Sequence, residues 1–82
     1  MKIGIIGSGY VGLVTGTCFA HLGNEVVCID NDPKKILMLQ KGQIPIYEPG
    51  LKEMIRKNVQ EKRLSFSSSI AQAVKHSEVL FI

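Results

Sequence analysis

Aromatic residues are scarce in this chain: of its 82 residues none is tryptophan, two are tyrosine and three are phenylalanine. So few rings provide no stacking set for nucleic acid, and no basic arm or recognisable reader motif takes its place. The net charge of +3, whose excess lies mostly between positions 34 and 63, therefore reads as a solvated helical face with mild attraction for phosphorylated ligands. Nucleic acid is not expected as a partner. Cysteine is equally sparse. Cys18 and Cys28 match neither a redox pair nor a metal-ligand spacing, and each lies in an apolar segment, so both are expected to be buried free thiols in a reducing cytoplasm.

Long uninterrupted hydrophobic runs are also missing. The apolar start of the chain imitates a signal peptide only until glycines and Ser8 break it, before any small-residue cleavage site, and it is too broken to span a membrane. A soluble, cytoplasmic protein without membrane contact is the expectation. No linker, internal repeat or low-complexity tract divides the sequence, and 45% hydrophobic with 21% charged residues is ordinary globular composition. One packed domain is expected, burying about 60% of its surface as small domains do.

The order of elements follows from apolar periodicity and turn residues. Residues 2–6 form a short isoleucine-rich run stopped by Gly7, as suits a strand covered on both faces. From Tyr10, the apolar and small residues Val11, Val14, Cys18 and Leu22 recur at steps of three and four and predict the first helix, closed by Gly23. A second buried strand is expected at 25–30. Asp32 and Pro33 then form a cap and first turn for a helix that runs to about Lys41 and ends at Gly42. Residues 43–50 connect to a further helix opened by Pro49 and Gly50, with Leu51, Met54, Ile55 and Val59 on one face. A weak strand at 64–67, caps among Ser67, Ser68 and Ser69 before a helix with Ile70, Ala73 and Val74, and a last strand at 79–82 complete the pattern.

Repeated strand-helix-strand units joined by right-handed crossovers imply an α/β fold: a parallel sheet of strand order 3-2-1-4 with helices on both faces. The chain stops inside the apolar run Val79-Leu80-Phe81-Ile82 without a turn or polar tail. Residues 1–82 are therefore expected to be the N-terminal part of a longer, truncated domain whose further strands cover the open edge.

The sequence Gly7-Ser8-Gly9-Tyr10-Val11-Gly12 fits G-x-G-x-x-G, a weak signal alone. Here it follows a predicted strand, opens a predicted helix and is followed by Asp30, eighteen positions after Gly12 at the tip of the second strand. Each residue type has a physical reason. Gly7 permits the tight turn, Gly9 lets the backbone approach a pyrophosphate, Gly12 lets helix and strand pack closely, and Tyr10 and Val11 contribute backbone amides at the positive end of the helix dipole. Gly16 is read as a packing residue. Asp30 is expected to accept hydrogen bonds from the adenosine ribose hydroxyls and to repel a 2′-phosphate, which favours NAD over NADP, the other reading being a turn or capping residue. No Lys-Ser or Lys-Thr follows the glycines, which excludes a P-loop. Together these features describe the start of a Rossmann-type NAD-binding fold.

With Ile44-Pro45-Ile46-Tyr47-Glu48-Pro49-Gly50-Leu51 downstream of Gly7-Ser8-Gly9-Tyr10-Val11-Gly12-Leu13-Val14-Thr15-Gly16, the chain resembles the UDP-glucose 6-dehydrogenase family over its whole length. The first motif occurs in many NAD enzymes. The segment Pro45 through Leu51 is much more specific to nucleotide-sugar dehydrogenases, and GDP-mannose dehydrogenases are similar but tend to carry an aliphatic residue where Tyr47 stands. The resemblance implies oxidation of a UDP-sugar C6 alcohol to a carboxylate by two NAD, through a thioester on a catalytic cysteine, in an enzyme that is homo-oligomeric. The catalytic residues of that chemistry lie beyond position 82, so neither Cys18 nor Cys28 inherits it. Carried over by position, Asp30 matches the ribose-binding acid, Val11 a loop position beside the pyrophosphate and Lys35 a basic residue that approaches the cofactor.

By residue type alone Lys35 equally suits a solvated helix surface. Tyr47 and Glu48 are expected to pack over the sheet edge and to cap the helix at Pro49, with ligand contact as the alternative. A non-catalytic NAD-binding regulatory module would also explain the glycines, but it leaves the segment from Tyr47 to Leu51 unaccounted for.

Overall fold

A computed structural model describes residues 1–7, 9–44 and 48–81, apart from the side chains of Tyr10 and Pro49. In chain order the elements are β1 (Lys2–Ile6), α1 (Tyr10–His21), β2 (Glu25–Ile29), α2 (Pro33–Gln40), α3 (Pro49–Gln60), β3 (Leu64–Ser67), α4 (Ile70–His76) and β4 (Val79–Phe81). The sheet is parallel throughout, in the order β3-β2-β1-β4. This is the Rossmann-type α/β arrangement expected from the alternation of elements. The part of the last strand expected at Ile82 lies outside the described residues.

Register sorts the side chains into two faces. Ile5 pairs with Cys28 and Phe81, and Cys28 with Phe66, so one row crosses all four strands. Ile3, Val26 and Leu64 form the row below it. Both rows face α1 and α3, where Leu13, Ile55 and Leu64 are almost wholly buried. Burying each such side chain contributes roughly 1.5–3 kcal/mol, which makes this layer the core. Gly4, Val27 and Ser65 alternate to the opposite face, and a Cβ on Gly4 would meet the Ser77 hydroxyl just after α4. The reason for two layers is topological: right-handed crossovers that step from β1 to β3 and then return to β4 must leave their helices on opposite faces.

The helix ends are set by the residues expected to set them. Asp32 caps α2 by accepting from the Lys34 amide at 3.0 Å, with Pro33 following. Ser69 caps α4 by accepting from the Gln72 amide at 3.3 Å. Gly23 and Gly42, with φ of 104° and 81°, take the left-handed turns after α1 and α2 that cost other residues a steric penalty.

Two expectations fail. Cys18, expected to be a buried thiol, is exposed on the outward face of α1, where Val11 and Leu22 are 76% and 78% exposed. The helix packs instead through Leu13, Gly16, Thr17 and Ala20. The physical reason is distance, since Gly16 lies so close to the sheet that an added Cβ would meet Cys28 Sγ at 2.8 Å and Ile5 Cδ1 at 3.1 Å. Glu48 occupies the N-cap position of α3 but its side chain makes no capping hydrogen bond. Ile70 and Val74 are 44% and 50% exposed, because the short α4 meets the sheet through Ala73.

Candidate functional site

Gly7 ends β1 with φ of 100°, a left-handed conformation that a side chain would strain. Its amide donates to the Ile29 carbonyl at 2.6 Å, and the Asp30 amide donates to the Ser67 carbonyl at 3.2 Å. The sheet ladder thus continues one step past the strands and fixes the glycine loop and Asp30 side by side at the carboxyl edge, where open α/β sheets gather their ligands.

The loop then turns into α1. Gly9 is the N-cap residue, no side chain caps the helix, and no acidic residue occupies its first turn. The amides of Tyr10, Val11 and Gly12 belong to that first turn, where a helix has no partners of its own for its N–H groups. Together with the dipole they suit a phosphate. A Cβ on Gly9 would meet nothing within 4 Å, whereas one on Gly12 would overlap the Gly7 carbonyl oxygen. Gly9 therefore leaves open space at the helix start and Gly12 permits the close contact between helix and turn.

Two depressions that share Ile6 and Gly7 run along this edge. The first, of about 510 Å³, lies between Val11, Gly12 and Thr15 of α1 and Phe81 of β4. Phe81 is held by Phe19, whose ring stacks on it at a centroid distance of 5.4 Å. The second runs past Ile29 to Asp30, Asn31 and Ile70. The resulting trough begins at an apolar wall, passes the helix amides and ends at a carboxylate.

Asp30 is half-buried, and its Oδ1 accepts from the Asp32 amide at 2.9 Å. The trough brings together Gly7, Gly9, Val11, Gly12 and Asp30. Tyr10 stands at the first position of α1, and its side chain lies outside the described residues. Lys35 is exposed on the first turn of α2 and does not line the trough. Tyr47 lies outside the described residues, and Glu48 is exposed at the start of α3. Sequence reasoning missed Thr15, Ile70 and Phe81. Thr15 could have been found, because it follows Val11 by four residues and shares its helix face. Phe81 follows from the strand order, which places it beside Ile5.

The remaining chemistry is quiet. Burial pushes the Cys28 thiol up to about 12, so it is neither a nucleophile nor a ligand at neutral pH. Among the described residues no three His, Cys, Asp or Glu side chains are grouped to hold a metal ion, and no helix is long and apolar enough to cross a membrane. A separate cleft on the α4 face, lined by Lys2, Glu25, Arg63 and His76 among others, contains none of the residues expected to bind a ligand.

Strand, uncapped glycine turn, helix amides and an acidic second-strand tip define a dinucleotide-binding domain of Rossmann type. Residues 1–82 match the model of the UDP-glucose/GDP-mannose dehydrogenase family, NAD binding domain, and the chain belongs to that family. Its cofactor is accordingly NAD. The chain is 54% identical over 81 residues to the UDP-glucose 6-dehydrogenase TuaD of Bacillus subtilis, covering 99% of this chain and 18% of that protein. It is 55% identical over 82 residues to a UDP-glucose 6-dehydrogenase of Rhizobium meliloti, covering 100% and 19%. Among solved structures, a ternary complex of GDP-mannose dehydrogenase from Pseudomonas aeruginosa superposes with a TM-score of 0.91 at 40% identity, covering 100% of this chain and 19% of that one. A UDP-glucose dehydrogenase from the archaeon Pyrobaculum islandicum superposes at 0.89 and 40% identity, covering 99% and 19%. The chain spans about a fifth of the length of the curated relatives it matches.

Proposed function

We propose that this domain holds NAD in a UDP-glucose 6-dehydrogenase, an enzyme that oxidises UDP-glucose to UDP-glucuronate with two NAD. The observation that carries the reading is the identity of 54% and 55%, over essentially the whole chain, to two proteins named for that activity. In this reading Gly7 makes the turn and Gly9 gives the pyrophosphate room. The amides of Tyr10, Val11 and Gly12 receive its oxygens, while Asp30 accepts from the adenosine ribose hydroxyls.

Lys35, exposed on the first turn of α2, is the basic residue that approaches the cofactor from outside the trough. Val11, Thr15 and Phe81 line the half of the trough remote from Asp30. Bound NAD supplies the hydride acceptor, and the residues of this domain hold and orient it. The unpaired thiols of Cys18 and Cys28 support a cytoplasmic enzyme.

The test is turnover by the complete protein with NAD, followed by NADH absorbance. UDP-glucose is expected to be consumed with two NADH formed per sugar. Turnover of GDP-mannose in preference to UDP-glucose would overturn the substrate assignment.

A further inference from the structure

The turn between β2 and α2 is built as a relay. The Asp30 amide is bound to the Ser67 carbonyl of β3, Asp30 Oδ1 accepts from the Asp32 amide at 2.9 Å, and Asp32 Oδ1 accepts in turn from the Lys34 amide at 3.0 Å. Asp32 has φ of −93° and ψ of 104°, an extended conformation that its cap and the following Pro33 hold in place. At its other end α2 is tied to the same edge strand, since Gln40 Nε2 donates to the Phe66 carbonyl at 2.9 Å. The turn at Asp30 and the end of α2 therefore bind two consecutive carbonyls of β3. Asp32 is the joint that transmits its position to the Asp30 carboxylate.

Two acidic side chains two residues apart thus do different work. We propose that Asp32 is a positioning residue for recognition of the adenosine ribose: it touches no cofactor atom, and it fixes the plane of the Asp30 carboxylate through its own amide. The inference rests on the reading of the trough as an NAD site and deepens it. A carboxylate that must accept from two adjacent hydroxyls gains from being held, because the rotamer freedom it would lose on binding is already gone. The same joint sets the first turn of α2, which carries Lys35.

The test uses the complete protein and two ligands, NAD and its analogue with 2′-deoxyadenosine, with affinities measured by calorimetry. The unmodified protein is expected to prefer NAD by about tenfold, the worth of one hydrogen bond to a charged group. Asp30→Ala should bring that ratio near one. Asp32→Ala should lower it to roughly threefold or less, the loss being confined to the ribose hydroxyl, while Asp32→Ser, which keeps a capping oxygen, should restore most of it.

If Asp32 serves only to stabilise the helix, Asp32→Ala will weaken both ligands equally and leave the ratio unchanged, and the inference is wrong while the NAD site stands. A ratio near one in the unmodified protein, or one indifferent to Asp30→Ala, overturns the ribose assignment of Asp30 and the inference with it.

Discussion

Gly12 of α1 stands against the carbonyl oxygen of Gly7 so closely that a Cβ on Gly12 would overlap it. The obstacle is backbone, which cannot swing aside as a side chain can. Gly12→Ala is therefore expected to push the start of α1 off the turn and to misplace the amides of its first turn. NAD affinity of the complete protein should fall by about tenfold or more, with stability lowered by roughly 1–3 kcal/mol as for other overpacked sites. Calorimetric titration and denaturant unfolding read the two effects, and unchanged NAD binding would contradict the role of this contact.

Cys28 and Cys18 should separate cleanly. Cys18 is exposed and is expected to react with a thiol reagent in the native protein, whereas Cys28 should react only on unfolding. The buried thiol of Cys28 is raised from its ordinary 9.0 to about 12, so above pH 9 the unfolded chain loses a proton that the folded one keeps. The stabilisation is fully present below pH 9 and is lost as pH rises towards 12, with a slope of at most about 1.4 kcal/mol per pH unit. Denaturant midpoints measured against pH should show this decline in the parent protein and a shallower one in Cys28→Ala.

Lys62 follows the C-terminus of α3 with φ of 63°, the left-handed position that helices usually give to glycine. Lys62→Gly is expected to stabilise the protein by about 0.5–1 kcal/mol, since the steric penalty outweighs the chain entropy glycine adds. A lowered melting temperature would contradict this.

Much of the fold is legible in the sequence because its signals are punctuation. Gly7, Gly23 and Gly42 each mark an element's end by adopting positive φ, and Asp32 with Pro33 marks a helix start. Asp30 is legible for the same kind of reason, since the tip of the second strand in this strand order must lie beside the first turn. The exposure of Cys18 is not legible in the sequence, because α1 is apolar or small on nearly every side and its periodicity has two solutions. The sheet selects the face on which Gly12, Gly16 and Ala20 recur every four residues, the only one that allows so close an approach. Asn58 was overlooked because it is polar. It is nonetheless fully buried, donating to the Met54 carbonyl and accepting from Arg63 Nε, so it closes the turn into β3 from inside.

The ribose end of the trough decides the central claim. The most direct measurement is calorimetric titration of the complete protein with NAD and with NADP, repeated in Asp30→Ala. The account predicts that NAD binds about a hundredfold or more tightly than NADP, because the Asp30 carboxylate meets a 2′-phosphate with charge repulsion, and that Asp30→Ala weakens NAD while narrowing the difference. Equal affinity for the two cofactors in the unmodified protein would contradict it.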